Sequence, residues 1–381
     1  MQTWTLRFTN GRWTELGHAG GMPELVLYFG ATDEVETGAA YMRLREAFPE
    51  ALIAGASTGS TILGSTVDDH EVVAVAVRFA GTRVRAACVT VADKAGSFTS
   101  GRELAQALAA PDLVAVFVLA DGLCINGSEL VNGLVDVLGD TVSLSGGMAG
   151  DGERFGRTVV GLNDAPRADQ VVAIGFYGAK LRVAPAAAGG WDPFGPPRTI
   201  TAAAGNVLSE LDGEAALDLY ERYLGDEAQG LPGTALLYPM KIWPPENPAA
   251  STVRTILAVD HDARTMTFAG DIPQGWHAQL MRGVHEHLVG GAARAAQAAQ
   301  ARLGRAEDHQ GLALLVSCVG RRLLMGQRTA DEIEAMADWF GNQVTQIGFY
   351  SYGEIAPHEH HGASDLHNQT MTVTLLEEVE A

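Results

Sequence analysis

The sequence predicts a mixed α/β fold (α/β with α+β character) arranged as two lobes, and three observations predict it. A strand–helix–strand–glycine loop–strand theme occurs three times along the chain. In each copy a short apolar run suited to a buried strand precedes apolar residues at helical spacing, and a second strand then runs into glycines. With 381 residues and 47% hydrophobic content, the chain has enough apolar mass for more than one lobe.

The first copy begins at Leu25 to Phe29, continues through Tyr41, Leu44 and Phe48, and passes along Ala51 to Ala54 into Gly55 to Ile62. The second has Leu113 to Ala120, then Leu130, Leu134, Val137 and Leu138, then Thr141 to Leu144 and Gly146 to Gly152. The third has Leu312 to Val319, then Ile333, Met336 and Phe340, then Gln343 to Ile347 and Gly348 to Ile355. Strand start to first glycine (Leu25 to Gly55, Leu113 to Gly146, Leu312 to Gly348) covers 30, 33 and 36 residues, the length of one β-α-β unit. Asn126-x-x-Glu129 and Thr329-x-x-Glu332 have the capping-box pattern where two of the helices should start. Val72 to Phe79, Val171 to Tyr177 and Met371 to Leu376 supply the strand after each glycine loop. Strands that run into glycines turn sharply and leave amide N–H groups to face a ligand.

Between the second and third copies, Gly189 to Arg198 is rich in proline and glycine, and is expected to break regular structure. It marks the expected division into a lead-in at 1–23, an N-terminal domain at 24–198 and a C-terminal domain at 199–381. Ala216 to Leu224 is predicted helical, Tyr238 to Pro248 a loop, and Trp276 to Leu303 one long helix with Leu280, Val284 and Leu288 on a stripe.

Charge excludes some partners. With 26 Lys+Arg against 46 Asp+Glu, the formal charge of −20 repels phosphate backbones and anionic lipid, so no nucleic acid or membrane partner is expected. No stretch approaches the roughly 20 apolar residues of a membrane span, and Met1 to Asn10 lacks a signal-peptide core, so a cytoplasmic location is expected. Cys88, Cys124 and Cys318 are widely spaced and suggest reduced structural thiols.

Several groups are candidates for a site. Arg321, just past a buried strand, is placed to meet a ligand carboxylate or else to pair with a local acid. Glu354 receives a ligand ammonium or closes its own tight loop. Ser57 and Thr58 have the same two options. His367 and Asn368 precede the last strand, in reach of a pocket or in a turn. His358-Glu359-His360-His361 reads as a solvated loop, and no metal site is assigned. His285-Glu286-His287 lacks the four-residue spacing of zinc proteases.

These segments together resemble the FIST family of bacterial sensory domains, with N- and C-terminal parts, over roughly Leu25 to Leu376. Gly55 to Ile62 resembles its Gly-Cys-Ser-Thr-x-Gly-Glu-Ile motif. Gly146 to Asp151, Gly190-Trp191 with its prolines and Thr199-Ile200-Thr201, and Leu211-Asp212-Gly213 with Tyr220 continue the likeness. Ser317-Cys318-Val319-Gly320-Arg321, Gly348 to Pro357 and His367-Asn368-Gln369-Thr370 complete it. The first motif departs from the family, with Ala56 at the cysteine position and Ser60-Thr61 at the Gly-Glu pair.

The resemblance implies a small-molecule input module of signal transduction acting on a separate partner, such as a histidine kinase or a cyclic-dinucleotide enzyme. Its ligand would be amino-acid-like or a carboxylate. The expected pocket joins Ser57 and Thr58, Gly146, Gly147 and Asp151, and Tyr350, Tyr352, Gly353 and Glu354, with Ser317, Cys318, Arg321, His367 and Asn368 beside them. Some family members bind haem and sense nitric oxide; here His277 and His285 are the axial candidates for a noncovalent haem. The alternative from another class is a hydrolase or acyl-transfer enzyme using Ser57 or Cys318, although no Gly-x-Ser-x-Gly elbow is present.

Overall fold

In the computed structural model, which describes residues 1–16, 21–304, 310–341, 343–358 and 362–379, each predicted copy forms a parallel β-α-β unit. Leu25–Gly30 pairs in parallel with Leu52–Ser57, Leu113–Ala120 with Ser143–Met148, and Gly311–Cys318 with Val344–Ser351. In all three the strand after the glycine loop returns antiparallel to the first strand: Val72–Arg78, Gln170–Tyr177 and Met371–Glu378. These strands are apolar on both faces because both are covered, as parallel pairs require.

Three six-stranded sheets result, and they share one core. Leu27, Phe29, Phe117, Leu119, Val316 and Phe349 meet inside it, with Phe29 stacked on Phe349 at 4.7 Å between ring centroids. Helices close the outer faces: Ala39–Ala47 on the first sheet, Ser97–Leu108 and Gly127–Leu138 on the second, and His285–Leu303 with Ala330–Phe340 on the third. The expected lead-in contributes Gln2–Thr9, which pairs with Val72–Arg78 and extends the first sheet.

The glycine loops do what periodicity could not reveal: each sends its next strand into a neighbouring sheet. After the first loop, Thr61–Leu63 pairs with Val344–Ser351 of the third sheet. After the third, Gly353–Pro357 pairs with Ser143–Met148 of the second. After the second, Val160–Leu162 pairs with Leu52–Ser57 of the first. The exchange is cyclic, so the three motifs meet at one place.

Close approach explains the glycines there. A Cβ on Gly146, at φ +139°, would lie 2.0 Å from the Val118 carbonyl oxygen, and one on Gly348 would lie 1.9 Å from that of Leu315. Both obstacles are main chain of the neighbouring parallel strand and cannot swing aside. Gly146→Ala and Gly348→Ala should therefore each cost about 3 kcal/mol, the upper end of overpacking penalties. Gly233→Ala, with nothing within 4 Å, should be close to neutral. Urea denaturation of the three variants checks this; equal stabilities would show that the motif glycines are not needed for close approach.

The structure corrects four local expectations. Gly189 to Arg198 does not end regular structure: Trp191–Ala204 is a strand of an eight-stranded fourth sheet, with Pro196 and Pro197 where the register shifts between Phe194 and Arg198 and Pro193 opposite Met281 in register. Met240–Trp243 is a strand of the same sheet rather than loop. Trp276 to Leu303 is not one helix, since His277–Gly283 is a strand and only His285–Leu303 is helical. Ala278 and Leu280 alternate with Gln279 at period two, and pairing on both sides with Trp191–Ala204 and Met240–Trp243 settles the competition. Asn126 does cap its helix, accepting from the Glu129 amide at 3.2 Å, but Thr329 makes no side-chain cap and Glu332 points inward.

Candidate functional site

The three motifs close on one another through a ring of main-chain hydrogen bonds. Gly59 N–H donates to Tyr350 C=O at 3.4 Å, Tyr352 N–H to Met148 C=O at 3.2 Å, and Gly150 N–H to Ser57 C=O at 3.1 Å. These loop amides, expected to be free for a ligand, are used in holding the units together. Ser57 and Thr58 serve the same end. Ser57 Oγ donates to Gly150 C=O and accepts from Val159 N–H, both at 3.0 Å, while Thr58 Oγ1 donates to Tyr350 C=O at 2.8 Å.

Above this ring lies a cleft of about 560 Å³. Thr58 and Asp151 reach it from the predicted set; Ser60, Asp69, His70 and Arg322, with Asp33, Glu153 and Arg154, make up the rest of its polar wall. Arg322 ties the first unit to the third: Nε donates to Ser60 Oγ at 3.1 Å and Nη2 to Asp69 at 3.0 Å, while Nη1 donates to Gly326 C=O at 2.8 Å. Asp151 accepts from Thr32 Oγ1 at 2.9 Å and from Arg157 N–H at 3.1 Å, and also pairs with Arg154.

Arg321, the neighbour singled out from sequence, faces the other way. It is fully buried, with Nη2 2.7 Å from Glu332, Nη1 donating to Gly189 C=O at 2.8 Å, and Nη2 to Leu288 C=O at 2.9 Å. Ser317 and Tyr350 hydroxyls complete the Glu332 shell at 3.1 and 2.7 Å. Three predicted site residues, Arg321, Ser317 and Tyr350, thus surround an acid that the sequence pattern assigned to a helix cap. Two successive residues on a helix point about 100° apart; the Arg321-Arg322 pair carried that signal.

The remaining predicted residues scatter. Gly146, Gly147 and Gly353 are strand positions in the pairing of the second and third units. Tyr352 stacks on Phe155 at 4.4 Å and donates to Gly152 C=O at 3.0 Å, lining a separate cavity of about 170 Å³. Glu354 is fully buried and contacts Ser351 Oγ at 2.6 Å and Thr370 N and Oγ1 at 3.1 and 3.0 Å. Burial pushes its carboxyl up to about 7, against the opposing pull of those hydrogen bonds. His367 is buried with Nε2 3.1 Å from Ala356 C=O, and Asn368 accepts weakly from Thr255 N–H at 3.4 Å.

Residues 24–214 match the FIST N domain and residues 216–357 the FIST C domain. The chain belongs to the FIST family. FIST domains are sensory domains of signal transduction that bind small ligands. No curated protein matches the chain. Among solved structures, a crystal structure of cyanuric acid hydrolase from A. caulinodans is similar at 13% identity over 79% of this chain and 100% of that one; its TM-score of 0.19 carries no argument.

In this FIST protein the N and C domains are interleaved, since Thr61–Leu63 and Leu181–Ala188 lie in the sheet built on the third unit and Gly353–Pro357 in the one built on the second. The nucleophiles of the acyl-transfer reading are poorly placed. Ser57 Oγ is enclosed by main chain, and burial with the nearby Glu354 carboxyl drives the Cys318 thiol pKa upward. Of the two axial candidates for haem, His285 Nε2 is 2.9 Å from Asp331, and His277 sits on a strand with its ring 5.7 Å from Trp243 rather than at helical spacing. Asp121, Cys124 and Asp169 cluster, but Asp121 anchors its loop by accepting from Leu123 and Cys124 amides and Thr158 Oγ1, and the Cys124 thiol is pushed up to about 12 by burial first and Asp169 next. Glu359, His360 and His361 lie outside the described residues. Among those described, no helix is long and apolar enough to cross a membrane.

Proposed function

We propose that this FIST protein is an input module whose small polar ligand enters the central cleft and acts through Arg322 on a separate signalling partner, such as a histidine kinase or a cyclic-dinucleotide enzyme. The observation that carries the reading is the position of Arg322. Its guanidinium lines the cleft while joining Ser60 and Asp69 of the first unit to Gly326 of the third. A ligand carboxylate that takes over Nη2 must displace Asp69, and so changes how two units are held together; binding and conformational change are the same event. On the walls Arg154 pairs with Asp33 and Asp151 and Arg322 with Asp69, and Glu153 adds a further acid, so a ligand that also carries an amino group is a better match than a bare carboxylate.

A thermal-shift screen of amino acids and related carboxylates tests this. A true ligand at 100 times its Kd adds about 2.7 kcal/mol to the folded state. Arg322→Ala should then weaken binding at least about tenfold, the equivalent of one lost charge-assisted hydrogen bond. Ligand affinity unchanged in Arg322→Ala would remove the cleft from the function, and a screen in which no compound shifts the melting temperature would favour a pure interaction scaffold.

A further inference from the structure

Between the second unit and the fourth sheet lies the cavity of about 170 Å³ that Tyr352 lines. Leu123 and Ile125, from the loop after the Leu113–Ala120 strand, contribute one side of it, and Leu257 and Phe268 of the fourth sheet contribute the other. Phe155 lines it as well, its ring stacked on that of Tyr352 at 4.4 Å and nearly parallel, at 13°. Phe155 is held there under strain. Its φ of +47° lies in the left-handed region that a bulky side chain rarely adopts, and its N–H donates to the Tyr352 hydroxyl at 3.2 Å.

The polar groups of the wall are already spent on the protein itself. The Tyr352 hydroxyl donates to Gly152 C=O at 3.0 Å, Asn126 Oδ1 accepts from the Glu129 amide at 3.2 Å, and Asn206 Nδ2 donates to Phe268 C=O at 2.7 Å. Among the described residues, no buried polar side-chain atom of this wall lacks a partner. Water there finds few hydrogen-bond partners, so an apolar guest displaces it at little loss. The volume suits a single ring, since an apolar cavity of about 150 Å³ takes up benzene.

The surroundings also select the kind of ring. Phe155 and Tyr352 offer aromatic contacts, and Lys94, exposed at the mouth, makes no hydrogen bond or ion pair among the described residues, which leaves its ammonium for a ring face. Both favour an arene over an aliphatic ring. A carboxylate would gain only an exposed, screened contact with Lys94, and it would approach against a formal charge of −20. We infer that this cavity is a binding site for a small neutral arene, one ring with one small substituent, packed beside Phe155 and Tyr352. The site is separate from the central cleft, and the inference does not rest on the role given to Arg322.

The test is isothermal titration calorimetry of the full chain with phenol, toluene, cyclohexanol and benzoate. Phenol and toluene should bind at one site, with cyclohexanol at least about threefold weaker and benzoate at least about tenfold weaker. Ala269→Leu and Leu257→Phe each add bulk to the wall and should weaken phenol at least about tenfold, with circular dichroism unchanged, while Arg322→Ala leaves affinity as it was. Three results would each overturn the inference: no heat from phenol or toluene up to about 5 mM, cyclohexanol or benzoate binding as tightly as phenol, or phenol affinity kept in both wall variants.

Discussion

Arg321→Ala destabilises this protein by about 3–5 kcal/mol, the cost of leaving one partner of a buried ion pair uncompensated. The sequence places Arg321 either to meet a ligand carboxylate or to pair with a local acid; the structure pairs it with Glu332. Arg321 and Glu332 are both fully buried, and the guanidinium also satisfies the carbonyls of Gly189 and Leu288. Removing it strands Glu332 together with two main-chain acceptors. A paired Arg321→Met, Glu332→Leu variant should recover much of the loss, because a well-packed apolar replacement of both charges is often neutral. The recovery will be incomplete, since the Ser317 and Tyr350 hydroxyls lose their acceptor. Urea denaturation of the single and double variants measures both effects. A loss below about 1 kcal/mol for Arg321→Ala, with ligand binding gone, would return this residue to the ligand site.

The second large effect is one of pH. Folding raises the Glu354 carboxyl from the usual 4.5 to about 7, chiefly by burial. The folded state therefore holds this proton more tightly than the unfolded chain does. The resulting stability is fully present below about pH 4.5 and is lost as pH rises through about 7, a swing on the order of 3 kcal/mol. The contacts fit a neutral carboxyl at low pH: its proton is donated to Ser351 Oγ, which in turn donates to Ser317 C=O, while Thr370 N–H and Oγ1–H donate to the other oxygen. Glu354→Gln preserves that pattern without a titrating group. It should match the parent near pH 5 and exceed it by up to about 3 kcal/mol near pH 8.5. A stability difference between the two proteins that is the same at both pH values would show that Glu354 does not titrate in this range.

The sequence by itself determined the three β-α-β units, because each is written in local signals: apolar runs of strand length, apolar residues at helical spacing, and glycines where backbones meet. It also determined the family, whose short motifs are contiguous in the chain. It failed where two local patterns compete. His277 to Gly283 satisfies a helical stripe and a strand alternation equally, and only partner strands on both sides decide for the strand. Proline density at 193–197 suggested a break, but inside one strand a register shift takes up Pro196 and Pro197 while Pro193 pairs opposite Met281.

The site was less legible, for a physical reason. Which of two adjacent arginines faces a cleft depends on helix rotation against a distant acid, and Glu332 looks in sequence like any third helical residue. The cyclic exchange of strands between sheets and the ring of amide hydrogen bonds that consumes the glycine loops both join residues far apart in the chain. Local propensity has no term for such contacts, so the tertiary structure alone decided that Arg321 supports the fold and that Arg322 faces the cleft.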